Sequence, residues 1–163
     1  MAEQDTLNVK VVGSTPTWPT KFKPPLKTYE VIEHTADIGI RVKGKSLKSL
    51  FRNAGLAISQ ISSQKLKAKY KKQYRLSIIQ EADDLEELFL NWLNELLSLS
   101  SAKGLIFEDF KISKIDKNSI KALAIGSDIR NYKVNTEIKA ATYHELKVKK
   151  IGSGWKAEVI LDV

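Results

Sequence analysis

Few residues in this chain are placed to do chemistry. Asp37 closes the run His34-Thr35-Ala36-Asp37, in a turn between two strand-like segments. Asp162 directly follows the apolar Val159-Ile160-Leu161, and the α-carboxylate of Val163 comes one residue later. An apolar strand tipped by these groups concentrates negative charge. With Asp37 beside them, the oxygens would favour a hard divalent cation, Ca2+, Mg2+ or Mn2+, with water filling the remaining positions. Spacing alone leaves this open. Asp37 equally suits a turn cap, and Asp162 equally suits an exposed strand end.

The rest of the composition narrows the alternatives. Cysteine is absent, and His34 and His144 are the two histidines. Disulfides, thiolate nucleophiles, Cys-ligated zinc, iron–sulfur clusters and three-histidine metal sites are therefore excluded. Any metal must be held mainly by oxygen. A cysteine-free chain fits a reducing cytoplasm. The formal net charge of +8 favours anionic partners, nucleic acid above all, though it also fits an inert basic surface.

That charge is concentrated in residues 65–75, KLKAKYKKQYR. Lys65, Lys67, Lys69, Lys71, Lys72 and Arg75 are interleaved there with Tyr70 and Tyr74. Cations with aromatics suit phosphates and stacked bases. The same regular spacing suits an exposed basic strand edge, which deters edge-to-edge aggregation.

One nucleotide-binding pattern is present in letters only. Residues 39–46, GIRVKGKS, fit G-x-x-x-x-G-K-[ST], with a helix expected next. A phosphate-cradling loop favours small residues in tight conformations. Here Ile40 and Val42 alternate with Arg41 and Lys43, which is strand patterning. Asp162 imitates a magnesium-holding aspartate but ends a strand expected to pair antiparallel, whereas the nucleotide fold needs a parallel sheet. The NTPase reading is therefore rejected. No H-E-x-x-H, G-x-S-x-G or G-x-G-x-x-G occurs.

The elements that must position these groups follow from periodicity. At 163 residues the chain is long enough for one well-packed domain. All four prolines precede residue 28, so residues 1–27 read as an extended or disordered arm and residues 28–163 as the domain. Ser46 caps a predicted helix whose Leu47, Leu50, Phe51, Ala54 and Ile58 share a face. Asp83 with Glu86 opens a second, carrying the stripe Leu85, Leu88, Phe89, Trp92, Leu93, Leu96 and Leu97 and stopping at Lys103-Gly104. Strands are expected over 28–33, 38–43, 74–80, 106–115, 119–126, 142–151 and 155–161, with a hairpin at Gly152-Ser153-Gly154. The fold class is α+β: two main helices packed on a mostly antiparallel sheet in one compact domain. No apolar run approaches the ~20 residues that span a bilayer, and no signal peptide is evident. The expected setting is soluble and cytoplasmic, without a membrane partner.

Four segments in series, HTADIGI (34–40), LEELFLNWLNELL (85–97), EIKAATYHEL (137–146) and WKAEVILDV (155–163), resemble the archease family. The likeness runs from about Tyr29 to Val163. It departs from the family pattern at GSDIRNYKVN (126–135), where relatives commonly carry an acidic loop, and at Ala141, where valine is commoner. The resemblance implies a non-catalytic accessory protein of the RtcB-type tRNA-splicing ligase, which promotes its guanylylation and multiple turnover. It also implies a link to a tRNA cytosine-5 methyltransferase, as an RNA-binding or chaperone-like modulator, and possible contact with tRNA itself. The family's metal site maps onto Asp37, Asp162 and Val163, with Ca2+ the first candidate and Mg2+ or Mn2+ next. His34, Lys139 and His144 would support those ligands, or make ordinary surface and sheet hydrogen bonds. Lys67, Lys69, Lys71, Lys72 and Arg75 are the candidates for contact with RNA or a partner.

Overall fold

The computed structural model describes residues 28–33 and 35–163, with the side chain of Glu33 excepted. The expected arm over 1–27 and the candidate ligand support His34 lie outside the described residues. The elements run β1 (Tyr29–Glu33), β2 (Ile38–Gly44), α1 (Leu47–Ser62), β3 (Ser63–Lys65), β4 (Gln73–Glu81), α2 (Leu85–Lys103), β5 (Leu105–Ile115), β6 (Ser119–Asp128), a 3-10 turn (Ile129–Asn131), β7 (Tyr132–Val134), β8 (Ala140–Ile151) and β9 (Gly154–Asp162). The strands form a four-stranded sheet in the order β1-β2-β9-β8, a three-stranded sheet β4-β6-β5 and a two-stranded ribbon β3-β7. Every pairing is antiparallel.

Both helices touch both larger sheets. The first lies against β2 and β5, the second against β8 and β5. Their apolar faces meet in an aromatic cluster: Phe51 packs edge-on to Phe89 at 5.2 Å, and Trp92 edge-on to Phe110 at 5.4 Å. Trp92 is fully buried, so its indole N–H needs a partner. It donates to the carbonyl of Phe51 at 2.9 Å. Ile40, Val42, Val159 and Leu161 close the core from the four-stranded sheet.

Local chemistry fixes the helix ends. Ser46 accepts from the N–H of Ser49 at 3.2 Å while Ser49 Oγ accepts from the N–H of Ser46 at 2.9 Å. That is a reciprocal cap with serine in the place usually held by Glu or Gln. Gly104 ends α2 in the left-handed region at φ 66. The cap of α2 corrects the sequence reading by one residue: Asp84, not Asp83, accepts from Glu87 N–H, at 2.8 Å. Gly44 is demanded by close approach. A Cβ there would sit 2.4 Å from the backbone nitrogen of Leu50.

The nucleotide-loop pattern lies in a strand, as its alternation indicated. Gly39 to Gly44 run through β2, with Ile38 to Gly44 paired antiparallel to Leu161 to Trp155. The basic strip departs from a strand edge. Lys65 ends β3 and Gln73 begins β4, but residues 66–72 make no ladder.

Candidate functional site

The register of the four-stranded sheet brings the sequence-predicted oxygens to one end. Ile38 pairs with Leu161, so Asp37 and Asp162 flank the last rung of the β2–β9 ladder on the same side. On β9, Asp162 shares the strand face of Glu158 and Ile160, opposite Val159 and Leu161, which are buried. Asp37 is half-buried, and Asp162 and Val163 are exposed. The next strand joins the same end: Ala140 pairs with Asp162, and the N–H of Lys139 donates to the Asp162 carbonyl at 2.8 Å.

The start of β8 is fixed in turn by α2. Asn94 accepts from the N–H of Ala141 at 2.8 Å and donates to the Ala141 carbonyl at 3.2 Å. A side-chain amide here takes the place of a neighbouring strand on the open edge of β8. Sequence reading did not single out Asn94; the polar letter inside the apolar stripe LNWLNELL was its one signal. The side chain of Lys139 is exposed, in a groove beside Asn94, Ser98 and Ser101.

His144 follows on the same strand. It lies four residues past Ala140, in a bulge. Between the Thr142–Ile160 and Lys147–Glu158 pairs, five residues of advance along β8 answer two along β9. The excess turns outward through Glu145, whose φ is 55. His144 Nε2 lies 3.0 Å from Glu145 Oε2.

Two aspartates flanking one rung, with a further carboxylate expected at Val163, offer hard oxygen donors and no soft ones. This donor set fits Ca2+, Mg2+ or Mn2+ in kind. Among the described residues no group of three or more His, Cys, Asp or Glu is poised to hold a metal. The Val163 carboxylate and water would have to complete the shell.

The other candidate surface is the basic loop. Residues 64–73 are all exposed. Its backbone is held by Asn131, which is 2% exposed. Asn131 Oδ1 accepts from the N–H groups of Lys69 and Tyr70, both at 3.0 Å, and its amide donates to the Tyr70 carbonyl at 2.7 Å. The Leu66 N–H donates to the Asn131 carbonyl at 2.9 Å. The guanidinium of Arg130 stacks 3.7 Å from the centroid of the Tyr70 ring and is anchored on Asp128 at 2.7 Å. Arg130 holds the Asp128 carboxyl down at about 2. Arg130 and Asn131 lie in the 3-10 turn between β6 and β7. Sequence reading missed both, because the loop residues they hold, Lys69 and Tyr70, lie some sixty residues away.

With this geometry in view, the relationship to known proteins is direct. Residues 29–163 match the Archease protein family (MTH1598/TM1083). The archease of Pyrococcus abyssi is 38% identical over 144 residues, covering 85% of this chain and all of that protein. The archease of Methanosarcina barkeri is 36% identical over 145 residues, covering 84% of this chain and 97% of that protein. Among solved structures, Methanobacterium thermoautotrophicum protein 1598 superposes with a TM-score of 0.68 at 29% identity, covering 85% of this chain and 100% of that one. A Thermotoga maritima protein described as an archease and possible chaperone superposes at 0.58, with 27% identity, covering 87% and 98%. The chain belongs to the archease family, an α+β fold of two helices on antiparallel sheets. Among the described residues, no helix is long and apolar enough to cross a membrane.

Proposed function

We propose that this protein is a non-catalytic accessory factor of an RtcB-type tRNA-splicing RNA ligase, promoting its guanylylation and repeated turnover. The observation that supports this most is that Asp37 and Asp162, far apart in the chain, both flank the last rung of the β2–β9 ladder. In this reading Asp37, Asp162 and the Val163 carboxylate hold a divalent cation, Ca2+ first, at an exposed end of the sheet. A cation held there would supply charge neutralisation near the phosphates of a guanylylation site. The chain itself sets the spacing of the oxygens. Asn94 fixes the start of β8, Lys139 N–H fixes the Asp162 carbonyl, and the buried Val159 and Leu161 hold β9 rigid behind its tip.

The test is multiple-turnover RNA ligation by the ligase of the same source, with this protein substoichiometric. Ligation beyond one round is expected only when the protein is present. Asp162→Asn should lose that effect while keeping its melting temperature, because the side chain is exposed. Unchanged turnover with the wild-type protein would overturn the accessory reading. Normal activation by Asp162→Asn would remove the cation from it.

A second reading is a chaperone-like modulator of a tRNA cytosine-5 methyltransferase. The description of the Thermotoga relative as a possible chaperone favours it. It predicts that substoichiometric protein leaves the ligase unaffected but keeps the methyltransferase soluble on heating.

A further inference from the structure

Residues 64–75 carry six cations and no carboxylate. The acids on the neighbouring strands are already engaged. Glu108 binds Lys65 at 2.7 Å, Asp109 binds Arg52 at 2.7 Å, and Asp128 binds Arg130. Among the described residues, Lys67, Lys69, Lys71 and Lys72 form no ion pair, and the partner of Arg75 is the neutral amide of Gln73 at 3.3 Å.

A like-charged run normally lowers its repulsion by staying loose. This one is held. Asn131 pins the loop backbone through three side-chain bonds and one main-chain bond. Tyr70 is fixed against Arg130 yet remains 39% exposed. Lys72 sits over the ring of Tyr74 at 4.9 Å. Lys133, opposite Gln64 in the β3–β7 ribbon, adds one more exposed cation. The arrangement is a preformed row of unneutralised ammonium groups beside two immobilised rings.

We propose that the loop of residues 66–75, backed by Arg130 and Lys133, is a binding surface for single-stranded nucleic acid. The ammonium groups of Lys67, Lys69, Lys71 and Lys72 and the guanidinium of Arg75 meet phosphates. Tyr70 and Tyr74 offer faces for bases. An acidic protein surface would satisfy the lysines but give the held tyrosines nothing to do, so the rings decide for nucleic acid. None of these residues belongs to β2 or β9, the strands whose ends Asp37 and Asp162 mark, so the inference does not depend on the ligase reading.

The test is fluorescence anisotropy of the full chain with fluorescein-labelled single-stranded RNA and DNA 12-mers of one sequence, from about 50 to 200 mM salt. Single strands release about 0.7 counterions per phosphate neutralised. The variant K67Q/K69Q/K71Q/K72Q should therefore lower the log–log salt slope by about 3. At about 50 mM salt it should weaken binding by at least tenfold. K43Q/K149Q/K156Q removes three lysines from the four-stranded sheet instead and should bind nearly as wild type. Both variants are checked by circular dichroism melting. The proposal is overturned if the wild type binds neither strand at low salt. It is also overturned if the sheet variant weakens binding as much as the loop variant, since binding then tracks net charge alone. Binding to a poly-glutamate 12-mer as tight as to RNA would overturn the assignment in favour of an acidic protein partner.

Discussion

If Asn131 is what gives the basic loop its shape, Asn131→Ala should free the loop and leave the core standing. The substitution deletes three bonds: two from the Lys69 and Tyr70 N–H groups to Oδ1 and one from Nδ2 to the Tyr70 carbonyl. A protein hydrogen bond contributes roughly 0.5–1.5 kcal/mol net, so the three together hold the loop closed by about 1.5–4.5 kcal/mol. The freed groups belong to exposed residues and can turn to water, so the loss appears as local opening, not global unfolding. Each 1.4 kcal/mol or so is tenfold in an equilibrium, so amide exchange at Lys69 and Tyr70 should accelerate by roughly 10- to 1000-fold. Amides in the core helix, Leu93 for one, should exchange near the wild-type rate. Asn131→Asp is the informative companion. It keeps an acceptor for both N–H groups but turns an oxygen toward the Tyr70 carbonyl, so its rates should fall between the two. Wild-type exchange at Lys69 and Tyr70 in the alanine variant would refute the pinning argument. Equal acceleration at Leu93 would refute its local character.

Three further outcomes follow from the same geometry. Asn94→Ala leaves the strand-free edge of β8 at Ala141 without its amide partner. It should cost about 1–3 kcal/mol in chemical denaturation and raise exchange at Ala141; an unchanged Ala141 amide would show that α2 does not hold this edge. Arg41 donates to Glu158 at 2.6 Å and holds its carboxyl below the ordinary 4.5. A folded-state value below the unfolded one contributes stability that is whole above the unfolded value near pH 4.3 and is lost as pH falls through the folded one. The melting-temperature gap between wild type and Glu158→Gln should therefore narrow from about pH 6 to about pH 3, and a constant gap would sink the assignment. Finally, Lys43, Lys156 and Lys149 stand in one row across β2, β9 and β8. Like charges directly opposite are destabilising, so Lys156→Glu should stabilise by about 0.5–1 kcal/mol in low salt and less in high salt. A lower melting temperature in low salt would contradict this.

The parts of the molecule legible in its sequence are those whose causes are local. Ser46 and Gly104 mark helix ends because each satisfies backbone groups within one turn. Gly152-Ser153 closes the β8–β9 hairpin because glycine takes φ 42 at no steric cost. Asp83 and Asp84 are both able to cap, and the choice between them is made by backbone angles that neighbouring residue types do not encode. The loop over 66–72 suits an exposed strand edge as well as a binding strip because lysine alternates with other residues. Alternation on a fully exposed segment has no buried face behind it, and the hydrogen bonds that a ladder would have made go to Asn131 instead. The outward bulge of β8 at Glu145 left no signal, since no glycine marks its positive φ.

The candidate cation site sits at the boundary between these cases. The oxygen donors are visible as residue types, and the apolar strand behind Asp162 is visible as a pattern. That Asp37 and Asp162 come to one end of the sheet follows only from register, and a slip of one residue would turn every side chain of β9 to the other face. Register here is enforced by what lies behind it: Ile40 opposite Val159 and Val42 opposite Ala157, all fully or nearly fully buried. A one-residue slip would bring Lys156, Glu158 and Ile160 to the core face and turn Val159 and Leu161 out. The buried rungs therefore fix which residues of β2 and β9 share this end of the sheet.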